Sequence, residues 1–198
     1  TGEVYTVDKN ILLSVTSAAA QDGYVLESTE TSNAGGSVNT AATTFFVGDD
    51  VQDRQYLSLL SFGTSGLPDN AVIVSATLKL KLGSTVGTNP FTTHNSLVVD
   101  IRQPYFGTAV SLQTNDFAAV AGAGSVASVG STQQNGYYVA TINTTGLTHI
   151  SKTGTTQLRL RFLLDDNDDL GADYLAFYSA DASPSTNRPV LEIVYYVP

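Results

Sequence analysis

Apolar and polar residues alternate with a period of two along much of this 198-residue chain. In VSATLKLKL, Ala76, Leu78, Leu80 and Leu82 fall on one side and Thr77, Lys79 and Lys81 on the other, the pattern of an antiparallel strand with one buried face. QLRLRFLL repeats it, with Leu158, Leu160, Phe162 and Leu164 set against Gln157, Arg159 and Arg161, and so does VLEIVYYV, with Leu191, Ile193 and Tyr195 opposed to Glu192. Further strands are expected at 11–16, 23–27, 43–47, 55–62, 97–102, 137–142 and 174–179. About ten short strands separated by Gly, Pro, Asn and Asp clusters predict an all-β fold, a two-sheet antiparallel sandwich of the jelly-roll type. Helical spacing is confined to two short stretches: 115–120, with Thr114 and Asn115 as caps, and 145–152, where Leu147 and Ile150 share a face. The small residues of 118–131 read as a surface loop.

The N-terminal stretch is patterned differently. Val4, Tyr5, Val7, Ile11, Leu12, Leu13 and Val15 make a β-prone lead-in ahead of the first turn-bounded strand, so the chain divides into an extension, 1–21, and one sandwich domain, 22–198. A segment of this kind must pair with a sheet. Val4, Tyr5, Val7, Ile11 and Leu13 are the expected assembly strand, paired either with a neighbouring copy or with the chain's own sheet edge.

Composition narrows the chemistry. Cys, Met and Trp are all absent, which excludes thiol catalysis, disulfides and cysteine-ligated metal. The net charge is −9, which repels phosphate backbones and anionic bilayers; neither a nucleic-acid partner nor membrane insertion is expected. A chain that lacks an initiator Met and is acidic, poor in Lys and free of thiols reads as a processed, secreted or cell-surface product.

The ordered set DGYVLESTETSNAGG, VGDD, RQYLSLLSF, LPDNAVIVSATLKL and NRPVLEIVYYVP resembles the DNRLRE domain, named for the disaggregatase-related repeat, over roughly Asp22 to Pro198. The resemblance implies a β-sandwich module of secreted or surface proteins, related to carbohydrate-binding modules. It also implies a structural Ca²⁺ that ties early and late strands together.

Five carboxylates fall within 165–173, and such a density calls for a cation or solvent. Asp165, Asp166, Asn167, Asp168 and Asp169 are the leading Ca²⁺ ligand region, with Asp22, Glu27 and Asp49 as alternatives. The run is not an EF-hand: counted from Asp165, Leu170 stands where the turn Gly belongs and Ala176 where the closing Glu belongs. Around Asp49 and Asp50, Arg54 is as good a neutralising partner as a metal. His94 and His149 lack the spacing of zinc ligands, and no nucleophile elbow or phosphate loop is present, so no catalysis is expected.

A sugar site would need outward aromatic rings beside amides, carboxylates or Arg. The adjacent pairs Phe45–Phe46, Tyr137–Tyr138 and Tyr195–Tyr196 each turn one ring outward. Tyr105, Tyr137 and Tyr138 are therefore expected at a ligand or subunit contact. The function expected is structural or adhesive and non-catalytic: a self-assembling subunit of a surface fibre, or alternatively a module that binds extracellular polysaccharide.

Overall fold

The computed structural model describes residues 9–198. The chain runs through β1 (Ile11–Thr16), β2 (Gly23–Glu27), β3 (Gly35–Asn39), β4 (Thr44–Asp49), β5 (Gln55–Gly63), β6 (Val72–Leu80), β7 (Leu82–Val86), α1 (Pro90–Thr93), β8 (Leu97–Arg102), β9 (Ala123–Ser128), β10 (Tyr138–Thr141), α2 (Thr144–Leu147), β11 (Thr155–Phe162), β12 (Tyr174–Tyr178) and β13 (Val190–Tyr196). These strands form two antiparallel sheets. The smaller has the order β1-β13-β6-β10; the larger, of nine strands, follows β7-β12-β4-β5-β11-β8-β9, with β2 and β3 attached beside β5. The chain moves repeatedly from one sheet to the other and its first and last described strands are neighbours, so the predicted sandwich of jelly-roll type is what forms.

The predicted alternation decides which side chains fill the space between the sheets. Ala76, Leu78 and Leu80 of β6 and Leu191 and Ile193 of β13, from the small sheet, and Leu158, Leu160 and Phe162 of β11, Phe45 of β4 and Phe177 of β12, from the large one, are fully buried there. A second, smaller core lies on the opposite face of the large sheet, where the 103–121 loop lays Phe106, Leu112 and Phe117 over Val25, Leu57 and Leu59. Gln157 fastens that loop: its amide donates to Val110 O at 2.9 Å, and its carbonyl oxygen accepts from Phe106 N at 2.8 Å.

Several expectations need correction. Residues 123–128, inside the expected 118–131 loop, form edge strand β9 on β8, because pairing outweighs the poor β-propensity of Gly, Ala and Ser. The expected helix at 115–120 is only a 3-10 turn, Thr114–Asp116, whose capping box uses Gln113 and Asp116. The one at 145–152 is the single turn α2, capped by Asn143. The α1 turn, with Asn89 as cap and Pro90 first, was not foreseen.

Of the lead-in, Ile11–Thr16 pairs with the chain's own β13, Leu13 facing Ile193. Ile11 is exposed and Leu13 packs against the core. Val4, Tyr5 and Val7 lie outside the described residues.

Candidate functional site

The polar centre of the large sheet is built on Asp100, which is buried in the middle of β8 directly opposite Arg159 of β11. Two strand positions along, Arg161 projects from the same face of β11. Arg159 is saturated: Nε and Nη2 donate to Asp100 Oδ2 at 3.2 and 2.9 Å, while Nη1 donates to the carbonyls of Asp116, Phe117 and Ala119 at 3.1, 3.0 and 2.8 Å. Its guanidinium also lies 4.7 Å from the centroid of the Phe106 ring. Burial pulls the Arg159 pKa below its usual value against the pull of Asp100. Burial alone would raise the Asp100 carboxyl, but the Ser125 N–H and both guanidiniums outweigh it and hold the group below the ordinary carboxylate range. A buried ion pair with all three guanidinium nitrogens engaged is structural; Arg159 holds the 103–121 loop down.

Arg161 is different. Its Nε donates to Asp100 Oδ2 at 3.1 Å, Nη2 reaches Oδ1 only at 3.5 Å, and the side chain is 30% exposed. It lines an open groove of about 400 Å³ together with Asn33, Gln55, Phe117 and Asp165. Glu27 shapes the opposite wall: Oε1 accepts from Asn33 N at 2.6 Å and Oε2 from Gln55 N at 3.3 Å. Asn33 has the left-handed φ of 50° that Asn tolerates and other side chains resist. Glu27, an expected metal ligand, is therefore occupied as a backbone clamp, while the Asn33 and Gln55 side-chain amides remain uncommitted among the described residues. The groove combines a guanidinium, two amides and a carboxylate, with the exposed Leu163 side chain beside them.

The rest of the expected metal region, beyond Asp165, falls elsewhere. At the end of the large sheet two acidic loops meet: Asp49 Oδ1 accepts from Asp173 N at 2.9 Å, and Asp53 Oδ1 accepts from Leu170 N at 3.0 Å. Gly48 permits the approach, because at its φ of 130° a Cβ would stand 2.1 Å from Asp173 O. Within the second loop, Asn167 Nδ2 donates to Asp169 and Asp173, and Asp166 and Asp169 accept from the backbone N–H groups of Asp168 and Gly171. The Asp166 carboxyl is pushed up, first by burial and then by Asp165, Asp168 and Asp53 around it.

Arg54 does pair with Asp50, at 2.5 Å. Burial raises the Asp50 carboxyl, but the hydrogen bonds from Arg54 and Gln52 prevail and keep it below its usual value. Among the described residues no three His, Cys, Asp or Glu side chains come together so as to hold a metal ion. Three buried atoms here have no hydrogen-bond partner among the described residues: Asp49 Oδ2, Asn167 Oδ1 and His94 Nε2, the last lying 3.4 Å from Asp49 Oδ1. Asp22 stands apart, at a crossing where its Oδ1 accepts from Ser61 N of β5.

Of the expected aromatic contacts, Tyr138 is core, stacked on Phe91 at 5.8 Å. Tyr137 is half-exposed and donates to Thr186 O at 3.2 Å. Tyr105 is half-exposed on the 103–121 loop. The three do not form one surface. A four-ring cluster that was not foreseen joins β2, β4, β5 and β12: Phe46 lies 4.7 Å from both Tyr24 and Tyr174, and Tyr56 meets all three edge-on or tilted. Alternation predicted that one ring of the Phe45–Phe46 pair turns outward, and it is Phe46; only tertiary pairing brings the other rings to it. All four rings are half-exposed, so the cluster stands on the outer face of the large sheet. Burial, helped by Asp50, pushes the Tyr56 hydroxyl up to about 12.

No protein-family model matches the chain, and no curated protein matches it. No helix among the described residues is long and apolar enough to cross a membrane.

Proposed function

We propose that the chain is a non-catalytic adhesive β-sandwich of the cell exterior that holds polysaccharide in the groove beside Arg161. The observation carrying this reading is the set of uncommitted polar groups there: Arg161 with Nη1 unclaimed among the described residues, the amides of Asn33 and Gln55, and the Asp165 carboxylate, beside the exposed Leu163 side chain. Sugar hydroxyls need this mixture of fixed donors and acceptors next to an apolar edge, and a shallow open groove suits a chain rather than a small enclosed ligand. The exterior location follows from the composition and from the resemblance to the DNRLRE domain.

Affinity electrophoresis against a panel of neutral and acidic polysaccharides tests it. At least one polysaccharide should retard the protein, and Arg161→Ala should abolish the retardation. A panel with no retarded band contradicts the reading.

Self-assembly into a fibre is the second reading, favoured by Ile11 and Leu12, which stand exposed on the edge strand β1. Electron micrographs of the purified protein would show filaments on that account and single particles otherwise.

A further inference from the structure

The small sheet has an open stretch of strand edge beside an apolar groove. On one side β6 is paired by β13 from Val72 to Lys79. On the other side β10 pairs only with Leu80 to Thr77, and Ile142 N adds a last bond to Ala76 O at 2.9 Å. There Asn143 caps α2 and the chain leaves the lane. Val72 to Ser75 therefore have no strand on that side among the described residues.

The α2 turn does not close the gap. Between it and the start of β6 lies an open groove of about 480 Å³, lined by Ala71, Ile73, Leu147 and Ile150 and flanked by Lys152. Val72 and Val74, on the same stretch of β6, are 40% and 47% exposed. One added strand would satisfy the unpaired edge and cover these side chains together. Lys152 Nζ donates to Asp69 O at 3.1 Å, and no carboxylate pairs with it among the described residues.

Residues 1–8, TGEVYTVD, lie outside the described residues and have the matching chemistry. In an extended strand Tyr5 and Val7 share one side and Val4 and Thr6 the other, with Glu3 and Asp8 at the ends. Two β-prone sides suit a lane that has Ile73, Leu147 and Ile150 within and Val72 and Val74 without, and a carboxylate suits Lys152. The segment of the same copy is poorly placed to fill it. Both β1 and β6 run antiparallel to β13, Ile11 stands level with Tyr195 and Ile73, and the vacant lane lies three strand spacings from β1, about 14 Å. Crossing the ends of β13 and β6 takes about four extended residues and a turn, which uses up Lys9, Asp8 and Val7 before the lane is reached.

We infer that residues 1–8 of a second copy add to β6 as an antiparallel strand in this lane, with Tyr5 and Val7 seated against Ile73, Leu147 and Ile150. The inference rests on the self-assembly reading and names the acceptor site for it. Donor and acceptor are different surfaces, so the contact is head-to-tail and propagates as a filament. The acceptor edge belongs to the small sheet, and the polysaccharide groove to the large one.

The chain has no Cys, so single introduced thiols report the contact without background. Full-length Tyr5→Cys and Thr148→Cys chains, mixed in equal amounts and oxidised, should form a disulfide-linked heterodimer at least about tenfold faster than Tyr5→Cys mixed with Gln133→Cys, whose thiol stands at an exposed position between β9 and β10. Electron micrographs of the wild type should show filaments, and Val7→Asp or deletion of residues 1–8 should leave single particles with an unchanged circular dichroism spectrum. Filaments that survive the deletion, a heterodimer no faster than the control, or a Tyr5→Cys/Thr148→Cys double variant that closes within one chain would overturn the inference and leave self-assembly standing where filaments are still seen. Single particles of the wild type at every concentration would overturn both.

Discussion

Asp22 shows how one buried carboxyl sets a pH response. Its Oδ1 accepts from Ser61 N at 3.0 Å, and Oδ2 has no hydrogen-bond partner among the described residues. Burial is the dominant cause that raises its pKa from 3.8 to about 7, against the hydrogen bond from Ser61 N. Between those two values the folded protein keeps a proton that the unfolded chain has released. This group's share of stability is therefore complete below about pH 4 and is lost as pH rises through about 7. Three pH units at roughly 1.4 kcal/mol each cap the effect at about 4 kcal/mol. Asp22→Asn should remove that slope and raise the melting temperature at pH 8 relative to the wild type; urea unfolding at pH 5 and pH 8 checks it, and an unchanged slope would contradict the assignment.

The two arginines of β11 make a paired prediction on the same scale. Arg159→Met should cost at least about 3 kcal/mol, since Asp100 loses a buried partner and three loop carbonyls lose their donor. Arg161→Ala should cost less than about 1 kcal/mol while losing polysaccharide binding. Equal losses of stability in thermal melts would show that Arg161 is structural as well. The sequence placed both side chains on the outward face of their strand; both reach Asp100, and what separates them is the 103–121 loop, whose Asp116, Phe117 and Ala119 carbonyls engage Arg159 alone.

At the scale of elements, the strands with strong alternation were legible: β1, β2 and β8 have the expected bounds, and β6, β11 and β13 differ by a few residues at their ends. β3, β7 and β9 were not. They are built from Gly, Ser, Ala, Asn and Thr, and pairing in the sheet rather than local preference makes them strands. The groove was hidden for the same reason, because its walls come from β5, the 33 turn, β11 and the 103–121 loop, far apart in the chain. Both acidic runs stood out in the sequence, but not that Asp49 and Asp173 would meet.

The junction of those loops supports a prediction about cations. Asp49 Oδ2 and Asn167 Oδ1 are buried oxygens without a partner among the described residues, and like carboxylates crowd around them. A Ca²⁺ bound only by the folded chain stabilises it in proportion to its concentration. Millimolar Ca²⁺ should raise the melting temperature over that in EDTA, and Asp169→Asn should shrink the difference. Identical melting curves in Ca²⁺ and EDTA would rule the cation out.

On the scale of the whole molecule, the sandwich separates three surfaces. One outer face carries arginine, amides and a carboxylate around an open groove; the opposite face mixes Val and Leu with Ser and Thr around the closed Lys79–Glu192 pair; the acidic loops gather at the end of the large sheet. Amide chemical-shift mapping, with an oligosaccharide cut from whichever polysaccharide retards the protein, addresses the groove most directly. Shifts are expected to concentrate at Asn33, Gln55, Phe117, Arg161 and Asp165 and to vanish in Arg161→Ala. Shifts confined to the small sheet or to the Tyr137 region, or none at saturating sugar, would contradict the account.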